Sequence, residues 1–331
     1  MPYLQLNLKR EFTAPTAPYQ GLRATLARAT ARAQYLCDHF KKPEYLFRPQ
    51  QLWLRCQRAW FEPREYEEVK LPWGAVIKVQ PHETVGRALW HAGCCDLAVS
   101  ETLWRLIEPG ETAVDVGANI GGLTALMAAR VRRTGKVFAY EPHPEIFRLL
   151  TENIELWQHE AAAPVRAFRV ALSNYQGTGC LSLPQTFQAN HGLAALAPNN
   201  ANGAEALIPV QVEQLDDLIH ERVGVLKIDI EGHELSALQG AEQLLSARQI
   251  RDIVFEEHHE YPTPVTQLLE AHGYTIFNLG QSLWGLRPTP VREPSLHRRW
   301  DSRSCLATLN PQRALQRLQP RGWQLLRGKL K

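Results

Sequence analysis

The sequence predicts an α/β protein built on a doubly wound, mostly parallel sheet, and three observations carry that prediction. Ala113, Val114 and Val116 form a short apolar strand that runs into Gly117-Ala118-Asn119-Ile120-Gly121-Gly122 and then a helix with Leu123, Leu126, Met127 and Val131 at helical spacing. A second apolar strand, Val137 to Tyr140, ends abruptly in Glu141. Beyond it, strands and helices keep alternating, and the strands at Val225–Ile228 and Ile250–Phe255 both run into charged clusters.

Length and composition set the limits. A chain of 331 residues with 44% hydrophobic residues can build one large domain with an extension. A net charge of +3 is too mild to argue for a nucleic-acid partner. The six cysteines show no metal-ligand spacing, and Cys94-Cys95 reads as two small buried residues. Residues 1–20 lack the apolar segment of a signal peptide, and no stretch reaches the length of a membrane span. A reduced, cytoplasmic protein is the expectation.

Residues 19–40 predict a helix, with Leu22, Leu26, Ala29, Ala33, Leu36 and Phe40 on one stripe that would suit packing or a homo-oligomer contact. Residues 47–62 predict a helix carrying packing aromatics, Trp53 and Trp60 among them. Val69 to Val79 predicts a hairpin turning at Pro72–Gly74, and Leu97 to Leu106 a helix leading to the Pro109-Gly110 turn. After Glu141 comes a helix with Ile146, Leu149, Leu150 and Ile154, and then a third strand, Arg166 to Leu172, ending at Ser173. Residues 175–212 break the alternation: two short strands flank the polar stretch 185–206, a candidate substrate-facing lid. A helix at Val265–His272, strands at Tyr274–Leu279 and Cys305–Leu309 and a basic amphipathic tail complete the chain. The expected organisation is a helical extension at 1–64, a main domain at 65–310 and a tail at 311–331.

Two stretches carry chemistry. In the first, the glycines let a ligand approach the backbone, and the helix N-terminus offers free N–H groups. Glu141 lies 24 residues after Gly117 (141 − 117), close to the offset of about 20 expected of a ribose-binding acid. Asn119 occupies the middle position where a dinucleotide fingerprint needs glycine. That favours S-adenosylmethionine, an adenosine ligand without phosphates, over a nicotinamide cofactor. Ala171, Leu172 and Ser173 would flank its adenine. In the second stretch, Lys227, Asp229 and Glu231 are spaced by two and would share a face if the strand extends that far. Lys227 could anchor the sheet by pairing with Asp229 or Asp115, or Asp229 could stand beside the reacting groups. His258, in the cluster Glu256-Glu257-His258-His259-Glu260, could take a proton, although a solvated loop would read the same way.

Together these motifs resemble the FkbM family of S-adenosylmethionine-dependent methyltransferases. The matching pieces are Asp115-Val116-Gly117-Ala118-Asn119-Ile120-Gly121, Glu141-Pro142 with Phe147 and Asn153, Val170–Ser173, Leu215-Asp216, Lys227-Ile228-Asp229-Ile230-Glu231-Gly232-His233-Glu234, and Glu256 with His258. Gln214 departs from the threonine that commonly precedes the Leu-Asp pair. The resemblance implies a class I methyltransferase, Rossmann-like sheet of seven strands and, most often, transfer to a hydroxyl oxygen. Gly117, Asn119 and Gly121 would form the turn around the cofactor, Asp115 its methionyl side and Glu141 its ribose contact, with Asp229 or His258 as base. A variant places Mg or Mn among Asp229, Glu231, Glu256 and His258. The expected acceptor is a hydroxyl on a sugar, glycan or natural product, and Trp53, Trp60, Trp73 and Trp90 could stack on sugar rings if they are not core. The rival reading is a sensor or scaffold that binds S-adenosylmethionine without methyl transfer.

Overall fold

The structure is a computed structural model that describes residues 42–58, 60, 62–157, 162–196, 206–293 and 303–327. The predicted helix at 19–40 and its oligomer stripe lie outside the described residues. The strands in chain order are β1 (Glu67–Lys70), β2 (Val76–Val79), β3 (Thr112–Val116), β4 (Lys136–Tyr140), β5 (Val165–Phe168), β6 (Val170–Leu172), β7 (Gly177–Leu183), β8 (Ala195–Leu196), β9 (Ala206–Glu213), β10 (Val223–Ile228), β11 (Ile250–Glu256), β12 (Thr275–Ser282), β13 (Gly285–Pro290) and β14 (Ser304–Thr308).

Among the described residues, the main sheet has eight strands in the order β13-β12-β14-β11-β10-β3-β4-β5. From β11 to β5 every neighbour is parallel, while β14, β12 and β13 pair antiparallel. This is the expected doubly wound, mostly parallel arrangement with one correction. The expected seven strands become eight because the chain turns back after β12 and adds β13 at the edge. Its Pro288 and Pro290 do not carry the apolar alternation that marks a strand, and edge strands are where proline is tolerated.

The central strands are apolar on both faces because both are covered. All five residues of β3 and all six of β10 are buried. Alternate residues feed different cores. Ala113, Val225 and Val254 join the core under the helices Gly122–Val131 and Pro144–Trp157. Val114, Val116, Leu226, Ile228 and Phe255 join the one under Glu234–Gln239 and Pro264–Ala271. The chain leaves β3 toward β4 and β5 and later returns on the other side through β10 and β11. The β3/β10 boundary is thus a topological switch point, the place where such sheets bind ligands.

The expected third strand is two strands. Phe168 still pairs with Tyr140 in the main sheet, but Val170 pairs with Gln211 in a second sheet of order β6-β9-β7-β8. The described residues of 175–212 therefore join β6 in a small second sheet, with Ala171, Leu181, Val210 and Val212 inside. The β1–β2 hairpin and the helix Leu97–Leu106 form where expected. Trp53 and Trp60, expected to pack, are instead exposed at 66% and 84%. The C-terminal stretch is held by a buried ion pair, Arg105 Nε to Glu101 Oε1 at 2.6 Å. The Arg105 guanidinium donates to the carbonyls of Leu318, Pro320 and Gly322, and Glu101 accepts from the backbone N–H groups of Gln324 and Leu325. Among the described residues, no helix is long and apolar enough to cross a membrane.

Candidate active site

The glycine turn sits at the switch point because its conformation admits little else. Gly117, Asn119 and Gly121 all have left-handed φ, at 75°, 50° and 90°. A Cβ at Gly117 would lie 2.0 Å from the Asp229 carbonyl oxygen, so the turn can press against the end of β10 only with glycine there. Asn119 supports its own unusual φ by accepting from the Ile120 N–H through Oδ1 at 2.7 Å. Fully buried Asn153 reaches over from the helix Pro144–Trp157: Nδ2 donates to the Ile120 and Lys78 carbonyls, and Oδ1 accepts from the Lys78 N–H.

Glu141, at the end of β4, faces this turn. Its Oε2 accepts from the Asn119 N–H at 3.0 Å, and its Oε1 from the His143 N–H at 2.9 Å. Burial pushes its carboxyl up to about 7, against the pull of those two hydrogen bonds. Asp115 is fully buried, and the contacts of its carboxylate are with the protein. Oδ2 accepts from Thr124 Oγ1 at 2.7 Å, and Oδ1 lies 3.3 Å from Lys227 Nζ. Lys227 also stands 3.6 Å from Asp229 Oδ2 and donates to the carbonyls of Gly117 and Val116 at 2.8 and 3.2 Å. Burial lowers its pKa, but the Asp115 and Asp229 carboxylates more than reverse this, so the ammonium is held above its ordinary value. Both anchoring pairs foreseen for Lys227 are present, and the lysine joins the ends of β3 and β10.

The second cluster lies just beyond. β10 ends at Ile228, so Asp229 and Glu231 do not share a strand face with Lys227 as expected. Instead the chain turns, with Glu231 at φ 51° and Gly232 at φ 90°, and Glu234 Oε1 accepts the N–H groups of Ile230 and Gly232. β11 lies beside β10, and it carries Glu256 and then His258 to the same place. Ligand atoms of Glu231, Glu256 and His258 all lie within 4.8 Å of one another, with His258 Nε2 3.6 Å from Glu256 Oε2. Burial, then the charges of Asp229, Glu231 and Asp96, push the Glu256 carboxyl up to about 8. Burial, then Asp229 and Glu234, push Glu231 up to about 7. Asp229 and His258 are half-exposed at the rim, while Glu256 lies beneath them.

Ser173 lies apart from that cluster, its Oγ 2.9 Å from His233 Nε2. The described part of the candidate lid, 185–196, crosses the front of the site. Phe187 is buried, its ring centroid 4.8 Å from that of His143 and 5.0 Å from that of His191. Thr84 Oγ1 donates to the Ala189 carbonyl at 2.9 Å. Buried Glu83 caps the helix Thr84–Ala92 at the N–H groups of Val85 and Gly86 and also accepts from the backbone of His191. A Cβ at Gly192 would lie 3.8 Å from Glu231 Oε1, so the strap runs alongside the carboxylate cluster. Glu83, Asp96, Phe187, His191 and His233 were not singled out in the sequence. The signals for Glu83 and Asp96 were there, an acid directly before each apolar-periodic helix.

A family model described as the methyltransferase FkbM domain matches residues 115–276, and a model for protein-L-isoaspartate(D-aspartate) O-methyltransferase matches 48–177. The methyltransferase sdnD of Sordaria araneosa is 26% identical over 65% of this chain and 90% of its own length. A hexuronic acid methyltransferase of Haloferax volcanii is 28% identical over 53% of this chain and 69% of its own. A 31-O-demethyl-FK506 methyltransferase of Streptomyces tacrolimicus is 30% identical over 51% of this chain and 75% of its own.

Proposed function

The chain belongs to the FkbM family of methyltransferases, and from that premise we propose that it methylates a hydroxyl oxygen of a sugar, glycan or natural product. Membership implies S-adenosylmethionine as donor. The site fits that ligand. Lys227, the cation beneath the glycine turn, is committed inward to Asp115 and Asp229 rather than offered to a phosphate. When bound, the donor would supply an electrophilic methyl whose leaving group, a neutral thioether, needs no acid to depart.

The chain's own part is then to align the reactants and to accept a proton. Gly117, Asn119 and Gly121 form the floor under the methionyl end. Asp115 shapes that floor through Thr124 and Lys227. Glu141 holds the ribose, and Ser173 flanks the adenine. The observation that carries the reading is the half-exposed Asp229 carboxylate at the end of β10, its Oδ2 3.6 Å from the Lys227 ammonium beneath the turn. Asp229, half-exposed at the rim, takes the hydroxyl proton, with His258 next to it as the other candidate base. Such a base is worth about a hundredfold or more in rate, and alignment up to about 7–11 kcal/mol. The surplus of carboxylates also suits a cationic donor. A relative named for 31-O-demethyl-FK506 supports an oxygen acceptor, and one named for a hexuronic acid supports a sugar.

A second reading adds a divalent cation on Glu231, Glu256 and His258, favoured by the convergence of their ligand atoms within 4.8 Å. There it would lower the pKa of the acceptor hydroxyl.

Calorimetric titration with S-adenosylmethionine, S-adenosylhomocysteine and NAD tests the donor. Both sulfur ligands should bind and NAD should not, and Glu141→Ala should weaken both. A screen of sugar and natural-product hydroxyls with labelled methyl, with and without chelator, then tests transfer. Full turnover by Asp229→Asn would remove Asp229 from the mechanism. Binding without transfer to any acceptor would favour the sensor reading.

A further inference from the structure

A concave surface lies between the segment that precedes β1 and the helix Thr84–Ala92. A cavity of about 660 Å³ is lined by Gln57, Arg58, Trp60, Glu62, Glu67 and Trp90, together with Leu54 and Pro63. That volume is of the size that holds a small organic ligand. Trp90 is 7% exposed and forms part of the floor. The Arg58 guanidinium lies 4.8 Å over the Trp90 ring and donates to the Trp90 carbonyl, so that face of Trp90 is already covered. Trp60 is different: it lines the cavity and is 84% exposed. An indole left open to water beside planar polar side chains is an amphipathic platform.

We propose that this groove is a sugar-binding subsite that holds a neutral glycan by stacking a ring on Trp60, with Gln57, Glu62, Glu67 and Arg58 hydrogen-bonding its hydroxyls. A pyranose has an apolar C–H face to set against an indole and equatorial hydroxyls that both donate and accept. The groove offers the matching set: carboxylates that accept, a guanidinium that donates and an amide that does both. Two acids against one base disfavour an anionic ligand, and the open indole face favours a ring with an apolar C–H face. Of the tryptophans named from the sequence as sugar platforms, Trp73 and Trp90 are buried and exposed Trp53 does not line the groove, which leaves Trp60 to do the stacking here.

Trp90 lies on the helix Thr84–Ala92, whose first residue holds the lid strap at Ala189. At about 1.5 Å per residue, Trp90 is about 9 Å along the helix axis from Thr84. The subsite would therefore hold a part of the acceptor remote from the methylated hydroxyl. Its use in catalysis rests on the proposed transfer to a sugar, but its binding chemistry does not.

The test is titration of the full chain with neutral gluco-, manno-, galacto- and xylo-tetrasaccharides and with uronate oligosaccharides, read by saturation-transfer NMR and calorimetry. At least one neutral tetrasaccharide should bind, and Trp60→Ala and Glu67→Gln should each weaken it tenfold or more. S-adenosylhomocysteine binding should be unchanged in both variants, which shows that they are folded. Binding with this mutational pattern but no methyl transfer to the bound sugar supports the subsite while counting against the glycan acceptor. The proposal is overturned if no tetrasaccharide binds, if Trp60→Ala binds as well as the wild type, or if uronates bind more tightly than neutral sugars. A concentration-dependent dimer that Trp60→Ala dissociates would also overturn it, assigning the groove to a second copy of the chain.

Discussion

Replacing Glu256 by glutamine should flatten the dependence of stability on pH. The folded protein holds the Glu256 carboxyl at about 8, through burial and the neighbouring carboxylates. The unfolded chain returns it to the ordinary carboxylate range. Between those two values the folded state carries a proton that the unfolded state has released. Stability is therefore greatest at the acid end of that window and falls as pH rises through it. One such proton changes the unfolding free energy by about 1.4 kcal/mol per pH unit. Between about pH 6 and about pH 8 the wild type should thus lose about 2–3 kcal/mol on account of this group alone. Glutamine is nearly isosteric and does not titrate, so Glu256→Gln should lose that much less over the same range. Urea unfolding of both proteins across the window measures the difference directly. Parallel curves for wild type and variant would show that Glu256 is already ionised at neutral pH, and the cluster geometry inferred from its shift would be wrong.

Other consequences follow from single contacts. Lys227→Met should leave the Asp115 carboxylate buried without its cation, costing about 3–5 kcal/mol in urea unfolding; a loss under about 1 kcal/mol would mean that Thr124 alone satisfies Asp115. Gly117→Ala drives a Cβ to 2.0 Å from the Asp229 carbonyl at a left-handed φ, so calorimetry should find S-adenosylhomocysteine affinity reduced at least about tenfold, or about 1.4 kcal/mol. Gly192→Val should crowd Glu231 from the strap, raising the acceptor KM while leaving S-adenosylhomocysteine binding intact; the reverse pattern would move the strap to the cofactor side.

The sequence carried the parts of the site that are local and withheld those that are not. The turn from Asp115 to Gly121 could be recognised because strand, glycines and helix lie within a few residues of one another, and Glu141 because one crossover connection has a standard length. The break between β5 and β6 could not. Arg166 to Leu172 is continuously extended, and only the partners of Phe168 and Val170 show that it serves two sheets. The exposed Trp60 was misread for a related reason: tryptophan is usually packed, and nothing in its neighbourhood along the chain says which face is covered.

The carboxylate cluster shows where local reading stops. Asp229 and Glu231 follow one strand, Glu256 and His258 another, and 25 positions (256 − 231) separate two acids whose ligand atoms end up within 4.8 Å of each other. Spacing along each strand cannot say whether two strand ends meet. Sheet order decides it: β11 is the direct neighbour of β10, with Ile228 opposite Phe255, so the residues that follow each strand emerge side by side. Had β14 stood between them, the same sequence motifs would have lain about two strand spacings apart, roughly 10 Å, and neither a shared proton nor a shared cation would be within reach. The chemistry is thus a property of the crossover that returns β11 parallel to and beside β10, as much as of the acids themselves.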